Sequence, residues 1–342
     1  MPEGPEIHRA ADRVRRAIAG QVAEEVFFGQ AHLEDQGLRL SGSEVLGVEA
    51  RGKALLTTFS TGDTVFCHSL LYGRWHVRRR GRWPRTRRQL RFAVHTETHS
   101  ALLYSASAID VLPSDAVDAH PFVGRLGPDP LDPRCTADDV LRQLDARPRK
   151  RLGALLLDQG FVAGLGNYLR SEILFAAQLH PETRPQDCDE ATLRCLAHCI
   201  VDLTRQAYAM GGVTLDPELS ASRKAAGMPR RRYRHAVFTA AGQPCPRCGR
   251  TIARIESAGR RCYVCDDCQP PPRSARVGSN LMSDDDIAKL VEEIIADGKL
   301  TRSELKRLDT LMLADGKITV EEREHIDRLL TLIGNGDLVV VE

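Results

Sequence analysis

Apolar residues at Ile7, Ala10, Ala11, Val14 and Ile18 recur every three or four positions, which predicts an amphipathic helix over Pro5–Ile18 that Gly20 stops. From Val22 to about Val111 the pattern becomes short β-rich runs: Ala54–Phe59, Thr64–His68, Trp75–Arg78, Leu90–His95 and Ala101–Ser105. Gly, Pro or charged turns separate them, as in a β-sandwich or barrel. After Pro113 helical periods and start signals return over Thr136–Leu144, Leu152–Phe161, Asn167–Ala177 and Glu190–Met210, and a second, α-rich domain is expected.

Pro270-Pro271-Pro272 through Asn280 reads as an extended, then polar linker. An internal repeat follows: ADGKLTRSELKRLDTLML from Ala296 is succeeded by ADGKITVEEREHIDRLLT from Ala314. In each copy a glycine, Gly298 or Gly316, stops a helix. A capping box, Thr301-x-x-Glu304 or Thr319-x-x-Glu322, opens the next, so three short amphipathic helices are expected. Asp-Gly-Lys also resembles half of a calcium-binding EF-hand loop. Its first and third ligand positions hold Glu293 and Ile295, then Leu311 and Leu313, which leaves capping as the better reading.

A chain of 342 residues is too long for one core, and two or three domains are expected. No stretch approaches the roughly 20 apolar residues of a membrane-spanning helix. Glu3, Glu6, His8 and Arg9 charge the N-terminus where a secretory signal would be apolar, so a cytoplasmic protein is expected. The net charge of +2 conceals an asymmetry: Leu281 to Glu342 carries eight basic and fifteen acidic side chains, or −7, and the preceding chain carries 40 and 31, or +9. A basic body with an acidic appendage points to a polyanionic partner for the body.

Five of the ten cysteines lie between Cys245 and Cys268. Cys245-Pro-Arg-Cys248 and Cys265-Asp-Asp-Cys268 form two C-x-x-C pairs, the spacing of a tetrahedral zinc site, and predict one structural Zn²⁺. Cys262 would compete with Cys265 only by stranding Cys268, and is taken as a spare. At the other end, Met1-Pro2-Glu3 places a potential secondary amine beside a carboxylate once Met1 is processed. Such an amine can attack an electrophilic carbon while the acid moves protons, although a frayed terminus would look the same.

MPEGPEI at the start, RGKALL at Arg51–Leu56, LLYGRW at Leu70–Trp75, GLGNYLR at Gly164–Arg170 and the four-cysteine finger follow one another over Met1 to Gln269. Together they resemble the bacterial formamidopyrimidine-DNA glycosylase/endonuclease VIII family. The resemblance implies a bifunctional DNA glycosylase and abasic-site lyase of base excision repair. Pro2 would attack the sugar C1′ of a damaged nucleotide to form a Schiff base, Glu3 would shuttle protons, and Lys53 would place the lesion phosphate. Glu6 would line the pocket. Asn167, at the start of a helix whose positive end follows a glycine turn, would bind phosphate in a helix–two-turns–helix element. Arg260, or Arg261 by a slip of one, would be the finger arginine. Leu70, Leu71 and Tyr72 would fill the space left by an extruded base.

The LYG and RGKALLT segments resemble endonuclease VIII more than purine-preferring relatives, so oxidised pyrimidines are the expected substrates. Leu70 replaces a polar glutamine of enteric endonuclease VIII, which removes a hydrogen bond to the orphaned base. Eight arginines between Arg78 and Arg91 are expected in a loop, and Arg230-Arg231-Arg232 near DNA. The tail is weakly similar to acidic TerB-like helical domains and suggests a protein partner.

The expected organisation is α+β and multidomain. It comprises a catalytic β-sandwich with an N-terminal helix (1–112), a helix–two-turns–helix domain (113–236), a zinc-finger hairpin (237–269), a linker (270–282) and a small α-helical tail (283–342). The expected partner is double-stranded DNA carrying an oxidised base or abasic site, bound by a monomer associated with a bacterial nucleoid. A non-catalytic zinc-ribbon DNA-binding protein is the alternative.

Overall fold

The computed structural model describes residues 2–272 and, beyond them, 291, 292, 294, 295, 298–301, 304, 327–329, 331, 332, 335 and 339–341. The chain divides into two compact units, Met1–Pro271 and Pro272–Glu342.

The first unit opens with α1 (Gly4–Ile18), whose apolar face enters the core of a sandwich of two antiparallel sheets. Its strands are β1 (Glu25–Phe28), β2 (Val45–Arg51), β3 (Ala54–Phe59), β4 (Asp63–His68), β5 (Arg74–Arg79), β6 (Leu90–His95), β7 (His99–Tyr104) and β8 (Ala108–Pro113). One sheet runs β1-β6-β7-β5 and the other β2-β3-β4-β8. Alternate residues face inward: Trp75 and Val77, Phe92 and Val94, Ala101 and Leu103 join Ile7, Val14 and Ile18 in one cluster. On the far side of the second sheet, Ala54, Leu56 and Phe66 pack against Val117 and Val123, the start of the helical half.

Here α3 (Ala137–Asp145), α4 (Leu152–Leu155), α5 (Asn167–Ala176) and α6 (Glu190–Ala209) enclose a second core. Thr136 and Asp189 cap α3 and α6 by accepting from Asp139 N and Thr192 N. The expected helix over Leu152–Phe161 stops at Leu155, because the chain turns there and Asp158 Oδ1 accepts from Gly160 N at 2.9 Å. The stretch after Gly211 forms α7 (Pro217–Ala225) and α8 (Arg230–Tyr233). β9 (Ala253–Ser257) and β10 (Arg260–Val264) make the hairpin between the cysteine pairs.

Sequence periodicity did not single out β1, β2, β8 or α2 (Glu34–Leu40), which are short or carry mixed polarity. The arginine run is not wholly a loop: Arg78 and Arg79 end β5 and Arg91 lies on β6.

In the second unit Gly298, at φ +69°, follows a helical turn, and its N–H donates to Ile294 O. Thr301 and Glu304 form the expected capping box: Thr301 N donates to Glu304 Oε2 at 2.9 Å and Glu304 N to Thr301 Oγ1 at 3.3 Å. The expectation of helices alone is corrected by β11 (Lys299–Thr301) and β12 (Val339–Val341), a parallel pair. Glu293, Gly316 and the Thr319-x-x-Glu322 box of the second repeat copy, Leu311 and Leu313, and most of the linker lie outside the described residues.

Candidate active site and metal centre

The N-terminus, normally the loosest part of a chain, is fixed between the two cores. Gly4 N donates to Gly164 O at 2.8 Å, and a Cβ on Gly4 would stand 2.9 Å from Gly164 Cα, so this approach requires glycine. Gly164 itself has φ +84°. Glu3 is 3% exposed, and its carboxylate accepts from Tyr168 N at 2.8 Å and Leu169 N at 3.3 Å. These are orphan amides in the first turn of α5, so a residue 165 positions away closes the helix. The N-cap of α5 is therefore Gly166, without a side-chain cap of its own, and Asn167 is its first helical residue rather than its cap.

Lys53, in the two-residue turn between β2 and β3 rather than on a strand and 9% exposed, donates from Nζ to Leu165 O in the turn that precedes α5. Burial pushes Glu3 up to about 7; the nearby Lys53 and the two amides oppose the shift without cancelling it. Burial lowers Lys53, Glu3 opposes that, and the charge of Arg260 adds to the lowering. Arg260 thus acts electrostatically on Lys53 from β10. Asn167 turns to the finger hairpin, donating from Nδ2 to Arg261 O at 2.8 Å.

Glu6 receives three donors: Glu3 N at 3.1 Å, the Tyr168 hydroxyl at 3.1 Å and Arg234 Nη2 at 2.8 Å. Pro2 and Glu6 line an open cleft of ≈ 480 Å³ together with Arg13, Ser69, Arg74 and His76. At its edge the loop Leu70-Leu71-Tyr72 leaves all three side chains exposed, 43%, 57% and 68% respectively, and Leu70 takes φ +45°. Large apolar groups held in water on a strained turn are suited to burial against a partner. The structure thus brings Pro2, Glu3, Glu6 and Lys53 to one end of α5, with Asn167 and Arg260 on its finger side.

Three supporting residues gave no sequence signal beyond being charged within the apolar run of α5 and just after α8. Arg170 is fully buried and donates to Gly153 O, Ser257 O and Arg261 O and to Asn167 Oδ1. Glu172, 2% exposed, accepts from the backbone N–H of Ala236, Val237 and Phe238 at 2.7–2.8 Å and from Thr214 Oγ1. Arg234 lies over the Tyr168 ring, 5.4 Å from its centroid, while bonding Glu6.

The Sγ atoms of Cys245, Cys248, Cys265 and Cys268 lie within 4.8 Å of one another, Cys248 and Cys265 at 3.4 Å and Cys245 and Cys268 at 3.9 Å. Tetrahedral zinc with Zn–S of about 2.3 Å places sulfurs roughly 3.8 Å apart. The four thiols fit that ion, and the site holds one structural zinc. Cys262 stays outside it, fully buried against Ser171 Oγ.

Family models match each part of this arrangement: the formamidopyrimidine-DNA glycosylase N-terminal domain over residues 1–107, its H2TH domain over 126–218, and the zinc finger found in FPG and IleRS over 242–271. Endonuclease 8 of Salmonella arizonae is 42% identical over 271 residues, covering 79% of this chain and 100% of its own length. Endonuclease 8 of Salmonella dublin is 43% identical over the same shares. Among solved structures, Lactococcus lactis Fpg (MutM) in complex with N7-benzyl-Fapy-dG DNA has TM-score 0.67 at 22% identity, covering 79% of this chain and all of that one. The same enzyme with abasic-site DNA has TM-score 0.66. With models matched across all three parts and relatives matched over their full length, the chain belongs to the formamidopyrimidine-DNA glycosylase/endonuclease 8 family.

Proposed function

We propose that this protein is a bifunctional DNA glycosylase and abasic-site lyase of base excision repair, acting on duplex DNA with oxidised bases, principally pyrimidines, at the bacterial nucleoid. The observation that carries the reading is the coupling of Pro2, on an open cleft, to Glu3, a buried carboxyl whose pKa stands at about 7. An acid balanced near neutrality both gives and takes protons there. With Met1 removed, the Pro2 amine attacks C1′ of the extruded nucleotide. The C1′–N bond breaks and the base leaves with a proton routed through Glu3. The sugar ring opens at the C1′–O4′ bond as O4′ takes a proton, and the resulting iminium acidifies the C2′ proton, whose loss breaks the C3′–O bond and expels the 3′ phosphate. Loss of the C4′ proton from the conjugated iminium then breaks the C5′–O bond and expels the 5′ phosphate. Lys53, Asn167 and Arg260 hold the lesion phosphates, Glu6 keeps the N-terminal turn in place, and Leu70, Leu71 and Tyr72 fill the vacated stack. The zinc orders the hairpin that presents Arg260.

The four-stranded sheets, the acid and the amine would be superfluous in a plain zinc-ribbon DNA-binding protein. Borohydride trapping on duplex DNA with an abasic site or an oxidised pyrimidine separates the two readings. A covalent adduct from the natural protein, absent from Pro2→Gly, is the expected result. No adduct from zinc-loaded protein with Met1 shown by mass spectrometry to be removed leaves the binding-module reading standing.

A further inference from the structure

The connection from β5 to β6 is the most cationic segment of the protein, and the chemistry above leaves it unused. It leaves β5 where Arg80 N donates to Thr98 O and returns where Ser105 N donates to Gln89 O, at the two ends of β7. A strand of six residues spans about 17 Å, so the connection is a strap of that length along the sheet. Under it, on the face turned away from the sandwich core, Leu90, Ala93, Leu102 and Tyr104 form a small apolar cluster of their own. Trp83 meets the neighbouring His95 edge-on, with ring centroids 5.7 Å apart.

Three features point to a nucleic-acid strand as what this strap holds. Its charge is uncompensated: among the described residues Arg80, beside Glu24 and Glu25, is the one guanidinium of residues 78–91 with a carboxylate partner, while Arg79, Arg82, Arg85 and Arg87 have none. Trp83, in the middle of these arginines, is 58% exposed despite its size. The strap is also anchored to the loop that would enter the base stack, because Arg88 Nη1 donates to Tyr72 O at 2.6 Å. Basic tracks with an exposed aromatic ring bind single strands, since phosphates follow the cations and unstacked bases lie on the ring.

We propose that residues 78–91 form a second DNA-binding strip, independent of the lesion pocket, in which Arg79, Arg82, Arg85 and Arg87 track the phosphates of an unpaired strand and Trp83 stacks one of its bases. The inference takes from the proposed function only that the protein works on DNA. It extends the footprint from the lesion to single-stranded DNA beside it, as at a gap or a frayed end.

The test uses the full, zinc-loaded chain and undamaged oligothymidylate, with binding followed by tryptophan fluorescence and by affinity against salt. Trp75 is buried, so Trp83 dominates a quenching signal. Two variants are compared with the natural protein: Trp83→Leu, and the triple change Arg82→Gln, Arg85→Gln, Arg87→Gln at exposed positions that do not enter the core. Quenching is expected to vanish in Trp83→Leu. In the triple variant the slope of log K against log salt should fall by about 2, at roughly 0.7 per lost phosphate contact on a single strand. Borohydride trapping on a central abasic site in a duplex should persist in both. Natural quenching in Trp83→Leu together with an unchanged slope in the triple variant overturns the strip. Failure of trapping in the natural protein, with the strip still binding, overturns the glycosylase reading instead.

Discussion

Two amides in the first turn of α5 favour an ionised Glu3, yet burial outweighs them and the carboxyl stands at about 7 instead of its ordinary 4.5. A proton taken up more tightly in the folded chain stabilises the fold fully below the unfolded pKa and progressively less as pH rises through the folded one. Over a shift of this size the stabilisation lost between pH 4.5 and 7 is about 3 kcal/mol. Urea unfolding of the natural protein and Glu3→Gln should show this as a difference in pH dependence, the variant lacking the decline across that window. Loss of zinc at low pH affects both equally. The same group should appear in single-turnover excision as an apparent pKa near 7 that Glu3→Gln abolishes. The Pro2-Glu3 chemistry was visible in the sequence because residue type and order alone state it. The shifted pKa was not, since it comes from burial against parts of the chain some 165 positions away, which no local pattern announces.

At the scale of elements, α5 gathers the site: its N-terminus takes Glu3, its turn takes Lys53, and its buried side holds Arg170 and Glu172. A Cβ at Gly166 would stand 2.4 Å from Glu3 Cδ. Its φ of −141° suits any residue, so the clash and not the backbone decides the outcome. Gly166→Ala should fold and bind zinc but lose about 100-fold in trapping rate, the size of a misplacement of roughly 1 Å. Glu172→Gln keeps one acceptor oxygen but turns an amide donor toward the two donors of the other, such as Ala236 N and Thr214 Oγ1 on Oε2. It should cost about 3 kcal/mol in denaturant unfolding, from buried groups left unpaired. Long strands and helices were readable where one period held: Ala54–Phe59 and Leu90–His95 fall on β3 and β6 as expected. β1 escaped because it is only four residues long, and β2 because Gly47 and Glu49 break its apolar run. The span from Leu152 to Phe161 misled because buried turns and buried helices share apolar content, and only Asp158 and Gly160 mark the break.

At the scale of the whole molecule, the zinc finger docks on α5 through Arg170 and Asn167, each bonded to carbonyls of the hairpin. Chelating the zinc should therefore abolish trapping on a duplex with an abasic site while the far-ultraviolet signal of the sandwich persists, and zinc readdition should restore trapping. The matched relatives align over their whole length with 271 residues of this chain, the zinc-finger model ends at residue 271, and a chain stopped after Pro272 should keep its trapping activity. The spacing of the cysteines carried the finger in the sequence, whereas nothing local announced that Glu6 and Arg234 would pair across 228 positions.

The attachment of Glu3 and Gly4 to the α5 turn has a practical consequence for anyone handling the protein. An affinity tag or fluorescent fusion placed ahead of Met1 would convert the Pro2 amine to an amide and set bulk at the mouth of the cleft, while the tethers behind it still hold the fold. Such a fusion should purify well, carry zinc and melt normally, and be chemically silent.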